Sequence, residues 1–160
     1  MKINKTNAAR LLDRAHISYE LIPYEVDENN LAATHVAETL GEDISTVFKT
    51  IVLTAGPGNF FVCVVPGDAE IDLKKAARAA GVKKAELLPL KELLPLTGYI
   101  RGGCSPVGMK KPFATFFHDS VSDHDFIYVS AGVRGLQFKI KPADIIGSTN
   151  GTLADIIVDK

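Results

Sequence analysis

Two stretches in the middle of the chain are almost unbroken in apolar character. They are residues 47–55 (VFKTIVLTA) and 60–65 (FFVCVV), separated by the turn residues 56–59 (GPGN). Runs of this length rich in Val, Ile and Phe predict strands, and the short Gly/Pro/Asn link predicts an antiparallel hairpin. Strands that are apolar on both faces belong in a sheet covered on both sides. Elsewhere the period is helical. Ala8, Leu11, Leu12 and Ala15 share one face of residues 5–15, and Ala33, Val36, Ala37 and Leu40 one face of 32–40, with Gly41 as the stop. Leu73, Ala76, Ala77 and Ala80 do the same in 72–80, with Asp72 as a cap and Gly81 as the stop. Residues 18–23, 113–118, 126–130 and 136–140 read as further strands, 84–88 as a short one and 89–94 as a helical turn. At the C-terminal end, 142–146 and 153–158 both read as helix. Helices and hairpins mix without strict alternation, which predicts a mixed or antiparallel sheet packed by helices.

The 160 residues suit one domain, spanning 1–160, with a core of its own. The hydrophobic fraction is 46% and the charged fraction 23%, close to globular averages. The formal net charge of −1 excludes a strong overall field for nucleic acid, so any RNA contact rests on a local basic patch or on a partner, and DNA binding is not expected. The polar start, MKINKTNAAR, lacks the apolar run of a signal peptide, and no apolar run reaches membrane-spanning length. Two cysteines make no disulfide framework. A reduced, cytoplasmic location is the expectation.

Candidate chemistry centres on residues 97–111, TGYIRGGCSPVGMKK, with four glycines and three cations. Glycine lets a ligand approach the main chain closely, and nearby cations favour anionic groups. Lys49 is the most informative single residue: alternation places it on a face with Val47, Ile51 and Leu53. Burying an unpaired ammonium is costly. Lys49 therefore either snorkels out at a strand end or is a sheltered cation in a cleft. Residues 130–135, SAGVRG, form a second small-residue cluster in which Ser130 could bond a ligand and Arg134 supply a cation. Cys104, in the glycine loop, reads as structural rather than catalytic, because no feature assigns it a base. Residues 118–125 (HDSVSDHD) are rich in potential metal ligands, but their spacing fits no metal motif and suits a polar turn.

Taken together, KTNAARLLDRAHISYE, Tyr24, VFKT (47–50), IDLKKAARAAG, TGYIRGGCSPVGMKK and VSAGVRG stand in the order and spacing of the YbaK/EbsC-type proteins. The chain resembles these Cys-tRNA(Pro) and Cys-tRNA(Cys) deacylases, which are related to the editing domain of bacterial prolyl-tRNA synthetases. The resemblance implies an α/β fold of the α+β type, with a mixed, partly barrel-like sheet surrounded by helices. It implies trans-editing hydrolysis of a mischarged aminoacyl ester, Cys-tRNA(Pro) first. The substrate's own thiol would be the nucleophile, and no metal or cofactor would be needed. By the same resemblance Lys49 and Gly102 are the catalytic pair, and Tyr24, Gly103, Ser105, Pro106, Ser130 and Arg134 bind substrate. The tRNA(Pro) acceptor end and prolyl-tRNA synthetase are the implied partners. Two positions depart from the pattern: Gln137 stands where some members carry an acidic residue, and Val26 where some carry histidine. The competing readings are a non-catalytic module for the aminoacyl-tRNA end or the synthetase, and a small phosphate-ligand binder.

Overall fold

The structure is a computed structural model in which residues 4–159 are described. The central hairpin forms as the apolar pattern predicts: β2 (Phe48–Thr54) and β3 (Phe60–Pro66) pair antiparallel, with Lys49 opposite Val65. β3 pairs parallel with β5 (Ala114–His118), and β5 pairs parallel with β8 (Thr152–Ala154). The short β4 (Glu86–Leu87) closes the other edge, giving a five-stranded mixed sheet in the order β4-β2-β3-β5-β8. A second sheet of three strands, β1 (Glu20–Pro23), β7 (Leu136–Ile140) and β6 (Ile127–Ser130), is antiparallel throughout. An isolated bridge from Val47 to Tyr128 ties the sheets together, so they curl towards each other without closing a barrel.

Alternation along the hairpin sorts its side chains into two cores. Phe48, Val52, Val62, Val64 and Phe117 point towards the small sheet, α1 (Asn7–Arg14) and α5 (Pro142–Ser148). Leu53, Phe61, Cys63, Val65 and Phe116 point the other way, onto α3 (Leu73–Ala80). Both faces are therefore dry, which is why β2 and β3 show no polar face. A smaller cluster joins α2 (Ala33–Leu40) to Val47 and Tyr128 through Val36 and Ala37. Asp72 caps α3 through the amides of Lys74 and Lys75, and Gly81 ends it in a left-handed conformation. Among the described residues no helix is long and apolar enough to cross a membrane.

Two elements differ from the sequence expectation. Residues 89–94 are the start of a longer helix, α4 (Leu90–Thr97), which continues through Pro95. Residues 153–158 are not helical: β8 pairs with β5, Ile156 is fully buried, and Ile157 bridges back to Ile71. A short apolar run fits either period, and here the open edge of β5 decides it by offering hydrogen-bond partners that a helix could not use.

Near that edge His118 is buried, and neither ring nitrogen has a hydrogen-bond partner. Asp119 lies 3.4 Å from Nδ1 and Asp155 3.8 Å from Nε2, while Lys75 bonds Asp155 and Asp159 at 3.0 and 2.7 Å. Burial pushes the His118 pKa below its ordinary 6.5, against the opposing pull of Asp119 and Asp155. The folded state thus resists protonation. The stability His118 contributes is intact above pH 6.5 and is lost as pH falls through its lower folded-state value. Urea midpoints should decline between about pH 7 and 5, and His118→Phe should flatten that decline; an unchanged slope in the variant would show that the loss comes from other groups.

Candidate functional site

Lys49 is the second residue of β2, opposite Val65 of β3. Its side chain is half-buried and lines a cavity of about 380 Å³. Burial lowers the pKa of its ammonium from the ordinary 10.5, and Asp68 and Glu70 oppose that shift from outside the cavity. Lys49 thus borders the cavity while remaining partly open to solvent.

The opposite wall comes from the glycine-rich loop that follows α4. Arg101, Gly102 and Cys104 line the same cavity as Lys49, although about a third of the chain separates them. Gly102 has φ +84°, where a side chain is strained, and a Cβ there would also press on Leu31 and Arg134 at 3.3 Å. Gly103 is needed for close approach: a Cβ would sit 3.1 Å from the backbone of Val133 and Arg134. The SAGVRG turn is thereby held against the glycine loop. Arg134 Nε donates to the Arg101 carbonyl at 2.8 Å across the same seam, and its guanidinium lies 3.8 Å from Glu28. The third wall is α2 with the residues before it, Leu31 to Ala33 and Val36.

The other predicted residues fall into three groups. Ser130 lines the cavity, and its Oγ accepts from the Gly132 amide at 3.2 Å, so it also shapes the turn. Tyr24 borders a small adjacent recess of about 10 Å³ that shares Leu31, Val36 and Gly102 with the main cavity. Gly103, Ser105 and Pro106 do not line it. The Gly103 amide already donates to the Ile100 carbonyl at 3.0 Å. Ser105 is fully buried and accepts from Val107, and Pro106 faces a separate cavity beside α1. These three build the loop from behind. Strand position alone could not separate them from Gly102, because a loop's facing depends on its partner loop.

Sequence reasoning missed Thr50 and underweighted Gln137. Both line the cavity, and Thr50 Oγ1 and Gln137 Oε1 are buried with no hydrogen-bond partner. The available signal was one buried-looking amide in the apolar run LQFKI. Burial pushes both thiols, Cys63 and Cys104, up to about 12, so neither is a thiolate near neutrality. Among the described residues no three His, Cys, Asp or Glu side chains are grouped to hold a metal ion.

Known proteins share this architecture. Residues 27–147 match the aminoacyl-tRNA editing domain family, and the chain belongs to it. It is 45% identical over 152 residues to an Enterococcus faecalis protein named "Putative Cys-tRNA(Pro)/Cys-tRNA(Cys) deacylase EbsC", covering 95% of this chain and 93% of that one. A shorter likeness, 35% over 75 residues, joins 47% of this chain to 13% of a proline–tRNA ligase from Trichlorobacter lovleyi. Among solved structures, one described as "a putative trans-editing enzyme for prolyl tRNA synthetase" superposes with a TM-score of 0.81 at 21% identity, over 98% of this chain and 100% of that one. At that identity the superposition speaks for the fold alone.

Two outcomes check this electrostatic picture. Lys49→Met should stabilise the protein near neutral pH by about 0.5–2 kcal/mol, because a half-buried charge is removed. That gain should fade as pH rises through the lowered folded-state pKa towards 10.5, where the native ammonium is lost in both states. Paired denaturation curves measure it, and a destabilised variant would mean that Lys49 is structurally paired. Cys104→Ser should keep deacylation within about threefold of the parent, since a protonated thiol is no nucleophile; a collapse of rate in single-turnover assays would reverse that conclusion.

Proposed function

We propose that the protein is a trans-acting aminoacyl-tRNA deacylase that cleaves the ester of mischarged tRNA(Pro), with cysteine as the leading substrate. One observation carries the reading: the Lys49 ammonium and the Gly102 loop border a single small hollow. At about 380 Å³ the hollow is near the low end of the ~300–1,000 Å³ usual for small-molecule sites. That admits an aminoacyl group with part of its ribose, not a nucleic-acid helix. The need for such a site follows from the limits of binding: a proline-sized pocket gains only about 1–3 kcal/mol against a substrate lacking a methylene.

Within the hollow the cysteinyl ester supplies its own nucleophile. Its sulfur bonds to the carbonyl carbon, the carbon–oxygen bond to the ribose breaks, the thiol proton passes to the departing ribose oxygen, and a small-ring thiolactone leaves. Fixing thiol against carbonyl draws on effective molarities of roughly 10⁵–10⁸ M. A well-aimed amide at Gly102 would lower the barrier by about 3 kcal/mol through the developing oxyanion. Lys49 adds positive charge beside the ester, Ser130 offers a hydroxyl in the lining, Tyr24 borders the adjoining recess, and Arg134 braces the glycine loop. This division of labour suits a site whose own thiol is protonated. The tRNA(Pro) acceptor end and prolyl-tRNA synthetase are the proposed partners, and the cytoplasm the proposed location.

The protein should accelerate deacylation of Cys-tRNA(Pro) over Ala-tRNA(Pro), and leave Pro-tRNA(Pro) intact. Lys49→Ala, still folded, should lose roughly 10²-fold or more in rate. No acceleration with any mischarged species would reject the proposal, and tight binding without turnover would mark a non-catalytic module instead.

A further inference from the structure

Two oxygens in the cavity wall lack what buried oxygens normally have. Thr50 Oγ1 on β2 and Gln137 Oε1 on β7 are buried with no hydrogen-bond partner, and both residues line the hollow that holds Lys49. Gln137 as a whole is only 5% exposed. Buried polar groups in folded proteins are usually paired, so two unpaired groups just behind one cavity wall hold spare bonding capacity that a side-chain rotation turns towards a ligand's polar group. The two come from different sheets, which makes a shared accident of one strand's register a poor explanation.

The charge around them narrows what that group is. No Asp or Glu lines the cavity, whereas Lys49 and Arg101 do. The acids nearest Lys49, Asp68 and Glu70, lie outside the lining, and Asp27 borders only the separate recess. Nothing in the hollow offers an ammonium the charge-assisted partner it would lose from water. A hydroxyl and a carboxamide are neutral, and each can both accept and donate. They suit a neutral or charged donor equally.

Resting on the deacylase reading, we propose that Thr50 and Gln137 bind the substituent on the α-carbon of the acyl group, and that the site tolerates a hydroxyl there as well as an amine. The protein then also hydrolyses 2-hydroxyacyl esters of the tRNA 3′ end. Where no thiol is available, water adds to the acyl carbon, the bond to the ribose oxygen breaks, that oxygen takes one proton, and the 2-hydroxy acid departs with the other lost to solvent.

The test compares tRNA(Pro) carrying cysteine with the same tRNA carrying 2-hydroxy-3-mercaptopropanoate, which differs only at the α-substituent. Their kcat/KM values should agree within about tenfold, because no charge-assisted bond distinguishes them. Gln137→Glu, which supplies a carboxylate, should raise the amino-to-hydroxy ratio by about tenfold or more. Gln137→Met should weaken binding of non-hydrolysable amide analogues of both esters in parallel while raising the Tm of the free protein, since an unmet buried amide is gone. The proposal is overturned if the cysteinyl ester is cleaved but the hydroxy ester is about 100-fold slower. It is equally overturned if Gln137→Met binds both analogues as tightly as the parent does. If neither ester is cleaved, the deacylase reading itself falls and takes this one with it.

Discussion

A cation held half out of water is the constraint around which the rest is arranged. Lys49 occupies a strand whose apolar side chains Phe48, Ile51, Val52 and Leu53 are sorted into cores on both faces. Removing an ammonium from water is unfavourable, and its lowered pKa is the signature of that cost. The protein tolerates it because β2 is pinned along its length by β3 and braced by two cores, so the strand cannot shift to let the side chain escape. Stability given up at one residue is recovered by the apolar surface buried around it. A charge in such surroundings is worth more to a passing carbonyl or ribose oxygen than the same charge on the surface, because less water screens it.

The facing wall is loop, and loops need their own fastenings to keep a geometry. Gly103 lies against the backbone of Val133 and Arg134, and Arg134 returns a bond to the Arg101 carbonyl. The Tyr99 hydroxyl donates to the Val107 carbonyl. From the far side Thr6 accepts from the Ala9 amide to cap α1 and donates to Ala131 at the base of the SAGVRG turn. One hydroxyl thus couples the start of the chain to a loop that borders the site. Gly102 can keep its φ of +84° because its neighbours on both sides are fixed this way.

How much of this was legible follows from the length scale of each signal. The central hairpin, three helices, the Asp72 cap, the Gly41 and Gly81 stops and the double-covered sheet were readable, because each rests on a run long enough to show its period; the Thr6 cap of α1 was not. Lys49 stood out for the same reason: a charge interrupts a run that is otherwise apolar. The C-terminal strand was not readable, because LADIIV fits two periods and only the vacant edge of β5 chooses between them. Within the glycine loop, the sequence could not tell Gly102, which borders the hollow, from Gly103, Ser105 and Pro106, which do not. That distinction is made by contacts with Val133, Arg134 and Leu31, far away in the chain. Thr50 was hidden in plain sight, since threonine is ordinary in strands and only its missing partner makes it informative.

The charge distribution explains what the hollow reads and what it leaves to other surfaces. A net charge of −1 gives the molecule no general attraction for a polyanion, and log affinity for nucleic acid scales with the number of phosphates neutralised. The cations at the site are few: Lys49 and Arg101 in the lining, and Arg134 one layer behind. The chemistry of the hollow is correspondingly local, resting on one half-buried lysine, one glycine in a left-handed conformation and two neutral side chains with unpaired oxygens. A site so composed responds to the shape and polarity of the group that enters it.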